Sequence, residues 1–180
     1  LKNYKMNKKK FEKKIVEIKT KKELVKNLFN NVSNQYDFMN DLMSFGLHRL
    51  WKKDLIKNID IVSPSIILDL AGGTGDISKK LFNKYKESTI IIYDLSYEMI
   101  KKSQKKNKKK NIIHINGSAE SIALPNNSVD LITISFGIRN FANIEEAVKE
   151  CFRVLKYGGK VYCLEFSNSY SKFLKPTYDF

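Results

Sequence analysis

Residues 66–76 read Ile66-Ile-Leu-Asp-Leu-Ala-Gly-Gly-Thr-Gly-Asp76. The apolar run Ile66 to Leu70 has the character of a strand buried on both faces of a parallel sheet. It opens directly into Ala71 to Gly75, where glycine lets main chain approach a ligand with no side chain in the way. A helix follows, and the first amides of a helix are free to bind. Nineteen residues after Gly75 comes Asp94, at the end of a second apolar run, Thr89 to Tyr93. An acid about 20 residues past a glycine turn is placed to meet ribose hydroxyls from the end of the neighbouring strand. The pattern predicts a nucleoside site at the carboxyl edge of a parallel sheet.

Outward from this stretch, helix and strand patterns alternate. The predicted elements are a strand at 66–70, a helix near 75–85, a strand at 89–94 and a helix near 96–109. Then come a strand at 111–116, a short helix near 119–123, a strand at 129–135, a helix near 143–156 and a strand at 160–166. Gly158 and Gly159 are expected to stop the last helix. Upstream, Glu23 to Asn40 carries helical periodicity through Leu24, Leu28, Phe29, Val32, Tyr36 and Met39. Leu47 to Ile59 resumes it with Leu50, Trp51, Leu55 and Ile59 on one stripe. Strands joined by helical crossovers imply an α/β fold: a Rossmann-like parallel sheet with helices on both faces, under an N-terminal helical lid.

The chain of 180 residues is long enough for one domain with a real core. It begins at Leu1 and ends just after a strand-like run, and is read as a fragment lacking C-terminal strands. Its net charge of +14 is concentrated in two tracts. Residues 1–22 hold ten Lys against Glu12 and Glu17, a balance of +8, and residues 101–110 hold seven Lys, which leaves −1 for the rest. The organisation expected is a basic, mobile segment at 1–22 followed by one domain at 23–180. The tracts read as solvated surface, so nucleic acid is not expected as a partner, whereas peripheral contact with an anionic membrane is compatible with them. The Lys105 to Lys110 tract is expected far from the strands' carboxyl edge. Cys151 and Cys163 have no Cys-x-x-Cys spacing and are both expected in the core. No run approaches 18 apolar residues, and no cluster has metal-ligand spacing.

The glycine turn departs from Gly-x-Gly-x-x-Gly, with Ala71 at the first position and Ser78 at the last. Asp69 before the turn would repel a pyrophosphate but suits an ammonium group. Gly117-Ser118-Ala119-Glu120, after the third strand of the sheet, falls where an adenine would lie. Acid, glycine turn, second acid and small polar turn together describe S-adenosylmethionine better than a dinucleotide.

Four segments carry a family resemblance. They are Phe29–Trp51, which contains Tyr36-Asp-Phe-Met-Asn-Asp41; Leu68–Asp76; Ile132–Asn140, which contains Ser135-Phe-Gly-Ile-Arg-Asn140; and Arg153–Gly159 with Leu164–Ser167. From about residue 25 to Asp179 the chain resembles the ubiquinone/menaquinone biosynthesis C-methyltransferases, whose members also have Ala at the position of Ala71. The resemblance implies a class I methyltransferase fold with S-adenosylmethionine as cofactor. It places Gly73 and Thr74 against the cofactor's methionine part, and Asp69 and Gly75 are counted with them as cofactor-binding. Asp94 would bind the ribose, Ser118 and Ala119 would border the adenine, and Ser135 would line the site after the fourth strand. The family usually has Asn or Asp where this chain has Ser118.

The implied reaction is C-methylation of a polyprenyl benzoquinol ring in ubiquinone synthesis, by a methylase of the 2-polyprenyl-6-methoxy-1,4-benzoquinol type. Ring carbon becomes nucleophilic when an adjacent hydroxyl loses its proton. Arg139 is the first candidate to stabilise that oxyanion or polarise a water, and Asn140 to orient it. Tyr36, Asp37 and Asn40, with Met39, Met43 and Phe45, are expected to form a lid over a prenylated quinol. His48 is read as structural. The alternatives are the same chemistry on demethylmenaquinol, an RNA methyltransferase suggested only by the Lys tracts, and a non-enzymatic scaffold. A homodimer and a place in a quinone-synthesis complex are further expectations. The expected location is the matrix side of the mitochondrial inner membrane in a eukaryote, or the cytoplasm in a bacterium.

Overall fold

The computed structural model describes residues 8–32 and 46–165. Helix α1 (Lys8–Val32) and helix α2 (Leu47–Asn58) precede the sheet. The sheet then alternates with helices: β1 (Ile66–Leu70), α3 (Asp76–Lys84), β2 (Thr89–Asp94), α4 (Tyr97–Lys106), β3 (Ile112–Asn116), β4 (Val129–Ser135), a 3₁₀ turn (Ile138–Asn140), α5 (Ile144–Val154) and β5 (Leu155–Leu164). All described pairings are parallel, in the order β3-β2-β1-β4-β5. The order reverses between β1 and β4, and a ligand crevice is expected outside the carboxyl ends of those strands.

Alternation of side chains along each strand builds two cores. Ile67, Ile90, Ile92, Ile112 and Leu131 pack with Leu55 of α2, Ile77 and Leu81 of α3 and Ile100 of α4. Leu68, Leu70, Ile91, Tyr93, Ile132 and Ile134 pack with Ala147, Cys151 and Val154 of α5. The sheet is thus covered on both faces, which is why β1 and β2 read as unbroken apolar runs. Helix starts follow their caps: the Ser96 hydroxyl accepts from Met99 N, and Asn143 Oδ1 accepts from Glu146 N, each at 3.3 Å.

α1 passes through residue 22 without a break, as Lys is a good helix former and no Gly or Pro intervenes. Several expectations need correction. Residues 119–123 form a turn and not a helix, closed by a bridge between Ser118 and Ser121. α5 ends at Val154, and Gly158 and Gly159 lie inside β5. There they absorb a bulge: Leu155 pairs with Val129 and the ladder resumes at Lys160 with Leu131, which leaves residues 156–159 opposite Asp130. Cys163 is exposed on this outermost described strand, while Cys151 is buried. The Lys105–Lys110 tract ends α4 and leads into the start of β3, but it is less remote from the carboxyl edge than expected, since Asn107 within it donates to Thr74 O of the glycine turn at 3.2 Å. Among the described residues no helix is long and apolar enough to cross a membrane.

Candidate functional site

The glycine turn is held from both sides. Gly72 N donates to Tyr93 O at 3.2 Å, Gly75 N donates to Gly72 O at 2.9 Å, and Gly73 N donates to Asp94 Oδ2 at 2.8 Å. Asp94 Oδ1 accepts from Ser96 N at 2.8 Å. One carboxylate thus ties the turn after β1 to the start of α4. Two non-glycine residues here have left-handed backbone, Ala71 and Phe136, both at φ 55°. They stand where β1 and β4 end, and such strain persists where the surroundings over-determine it.

Two cavities flank the turn. The larger, about 680 Å³ and open to solvent, is bordered by Asp94, Leu95, Gly117, Ala119, Glu120 and Asn140, with Val25 and Phe29 of α1 as its cover. The smaller, about 390 Å³, is bordered by Lys52, Asp69, Thr74, Asp76 and Ser135. Ala71, Gly73 and Phe136 border both, so the two cavities adjoin at the turn.

Asp69 is buried. Its Oδ2 accepts from Ser78 Oγ at 2.6 Å and its Oδ1 from Thr133 Oγ1 at 3.0 Å. Burial pushes its carboxyl up to about 6, against the pull of those hydroxyls and of the Lys52 charge. Burial likewise pushes Asp94 up to about 6, against the Ser96 and Gly73 amides. Ser135 Oγ is buried with no hydrogen-bond partner among the described residues, at the border of the smaller cavity. Such an orphan is costly unless a ligand or water completes it. An acid and an unpaired hydroxyl in the smaller cavity, and an acid beside small residues in the larger, fit an amino-acid end and a nucleoside end respectively.

Of the residues singled out from sequence, Asp94, Ala119 and Asn140 border the larger cavity, Asp69, Thr74 and Ser135 the smaller, and Gly73 both. Gly75 does not border it; the space of its missing side chain is taken by Ser103, Asn107 and Ile92. The Ser118 hydroxyl is turned onto Glu120 and borders neither cavity. Its turn is drawn there because Glu120 Oε1 already accepts from Ala142 N at 2.7 Å. Arg139 also borders neither cavity. Its Nε donates to Glu165 Oε1 at 2.9 Å, and the ion pair closes through its terminal nitrogen as well. The cause is register: Ser135 pairs with Leu164, so Glu165 emerges at the same edge as the loop after β4. Tyr36, Asp37 and Asn40 lie outside the described residues.

The structure adds four features to the sequence reading. α1 covers the larger cavity, anchored by Lys21 Nζ donating to Phe141 O at 2.7 Å and by Ser96 Oγ donating to Asn30 Oδ1 at 2.6 Å. Its heptad-like Val25 and Phe29 were the available signal. Phe136 stands at the junction, its ring 6.4 Å from that of Trp51. Gly117 leaves room for the Tyr93 hydroxyl, which donates to Ser121 O at 3.2 Å. Lys52 is buried at the smaller cavity.

With this geometry in place, four similarities bear on it. The ubiE/COQ5 methyltransferase family matches residues 16–180. The ubiquinone/menaquinone biosynthesis C-methyltransferase UbiE of Rickettsia bellii (strain OSU 85-389) is 43% identical over 183 residues, covering 97% of this chain and 73% of that protein. Its counterpart in Rickettsia akari (strain Hartford) is 46% identical over 170 residues, covering 89% of this chain and 68% of that protein. A solved structure of a SAM-dependent methyltransferase from Aquifex aeolicus superposes with a TM-score of 0.61 at 20% identity, over 67% of this chain and 66% of that one. That likeness speaks to the fold. Both relatives are bacterial and give no support to a mitochondrial address.

Proposed function

The chain belongs to the ubiE/COQ5 methyltransferase family, and from that membership we propose that the whole protein methylates a ring carbon of a polyprenyl benzoquinol in ubiquinone synthesis. Its cofactor is S-adenosylmethionine, which supplies a sulfonium methyl group for in-line displacement by a carbon nucleophile. The observation that supports the site is the pair of cavities that adjoin at the Gly73 turn, with Asp94 in one and Asp69 in the other.

In this reading Asp94 accepts from the ribose hydroxyls, and Gly117 and Ala119 flank the adenine. Asp69 faces the ammonium group, and Gly73 and Thr74 lie along the methionine chain. Ser135 gives the methionine end the hydrogen bond that its own surroundings do not use. Val25 and Phe29 of α1 exclude water over the nucleoside end. On the acceptor, a ring hydroxyl must give up its proton for the neighbouring carbon to attack. Asn140, at the cavity, donates to that oxygen as charge develops there. Arg139 acts as a positioning residue: paired with Glu165, it fixes the 3₁₀ turn that carries Asn140.

Two measurements check this. Full-length enzyme should methylate a prenyl benzoquinol faster than a prenyl naphthoquinol at equal cofactor. The reverse preference would move the assignment to demethylmenaquinol, which the relatives' shared name covers equally. Arg139→Lys should lower single-turnover methyl transfer by roughly 10²-fold, a loss typical of a disturbed transition-state donor, and leave cofactor affinity within about twofold. Glu165→Gln should match it if the pair works as a unit. Normal turnover in Glu165→Gln beside a slow Arg139→Lys would mean that the guanidinium leaves Glu165 and meets the acceptor itself. The RNA alternative rests on the Lys tracts alone and gains nothing from the family match.

A further inference from the structure

Lys is rarely buried unless its charge is satisfied. Lys52, on α2, has a side chain only 10% exposed, and its Nζ makes one hydrogen bond, 2.9 Å to Asp76 Oδ2. An ammonium has three donors, so among the described residues two of Lys52's remain unused. Asp76 does not need the whole of that ammonium. It is 46% exposed and opens α3, where a helix N-terminus already favours a negative charge. Burial works to raise the Asp76 carboxyl, but Lys52, with Lys80 and His48, holds it below its ordinary value.

Lys52 borders the smaller cavity together with Asp69, Thr74 and Ser135. That cavity therefore offers a buried cation with spare donors, a buried carboxylate and an unpaired hydroxyl within one space of about 390 Å³. A small molecule that satisfies all three carries an anionic and a cationic group on adjacent atoms, as a zwitterionic amino acid does. We propose that Lys52 is the anion-binding half of an amino-acid clamp: it takes the carboxylate of the cofactor's methionine moiety, while Asp69 faces the ammonium. The proposal rests on the cofactor site described above and adds to it the group that reads the carboxylate. Asp76 then serves to aim Lys52 by occupying one of its three donors.

The test is calorimetric and needs no turnover. Full-length protein is titrated with S-adenosylhomocysteine and with its decarboxylated analogue, which keeps the amine and loses only the carboxylate. The wild type should bind the parent roughly tenfold or more tightly than the analogue, the scale of a charge-assisted contact. Lys52→Gln should lose roughly tenfold to hundredfold for the parent and stay within about twofold for the analogue. Lys52→Arg should restore part of the preference, and thermal melting of each variant establishes that it is folded. Equal losses for both ligands in Lys52→Gln would overturn the clamp and make Lys52 a tie between α2 and α3. No preference in the wild type would overturn it without any variant, even if Lys52→Gln does not fold. Failure of the wild type to bind either ligand would instead overturn the cofactor site itself.

Discussion

Gly73→Val is expected to fold and lose its cofactor, while Gly75→Val is expected to lose much of its stability. The two glycines are two residues apart, and both have left-handed backbone, with φ of 55° and 82°. What separates them is where a side chain would go. At Gly75 an added Cβ would lie 2.7 Å from Ser103 Oγ and 2.8 Å from Ile92 Cδ1, with the Asn107 amide nearer still. Overpacking of that kind and the left-handed strain together cost roughly 2–5 kcal/mol. That is a large share of the roughly 5–15 kcal/mol that holds a typical domain. At Gly73 an added Cβ meets nothing within 4 Å, yet the residue borders both cavities. A branched side chain there costs about 1–2 kcal/mol of strain and stands where the two cavities adjoin. Cofactor affinity should fall by at least roughly a hundredfold, about 2.7 kcal/mol. Urea denaturation and calorimetry on the same two variants check both halves. Near-normal affinity in Gly73→Val would mean that the ligand does not pass this turn.

That contrast also shows what could be read from sequence and what could not. The Gly-Gly-Thr-Gly run, the acid before it and Asp94 after it were legible because each is set by its own strand end. β1, β2 and β4 were legible to the residue, since strands buried on both faces must be continuously apolar. Local pattern could not tell a glycine that meets ligand from one that meets Asn107, which arrives from the far end of α4. Arg139 failed for a similar reason. Its partner Glu165 is 26 residues away and reaches it only through the β4–β5 register. Gly158 and Gly159 have the signature of a helix stop, yet the need to pair Leu155 with Val129 ended α5 earlier and left them to a bulge. Lys52 was hidden by composition. In a chain with 30 Lys, a buried one does not stand out until its neighbours are known.

Asp94→Ala is expected to weaken S-adenosylhomocysteine roughly tenfold to hundredfold, the range for a charge-assisted contact to two hydroxyls. The substitution removes more than a ligand contact, because each Asp94 oxygen also holds an amide, from Gly73 or from Ser96. The pH dependence separates the carboxylate from mere loosening of the turn. In the ligand-free chain burial raises both Asp69 and Asp94 from 3.8 to about 6. A carboxyl raised in the folded state favours folding most when protonated. This contribution is whole below about pH 4 and is lost as pH rises through about 6. Binding has the opposite slope, since an ionised Asp94 is the better acceptor for hydroxyls and only an ionised Asp69 attracts an ammonium. Affinity should therefore climb between about pH 5 and 7 while the melting temperature of the ligand-free chain loses these two contributions. In Asp94→Ala the climb should shrink to the part that Asp69 supplies. An affinity profile as steep as the wild type's, in a folded Asp94→Ala chain, would take the ribose away from Asp94 and leave it as the tie between the glycine turn and α4.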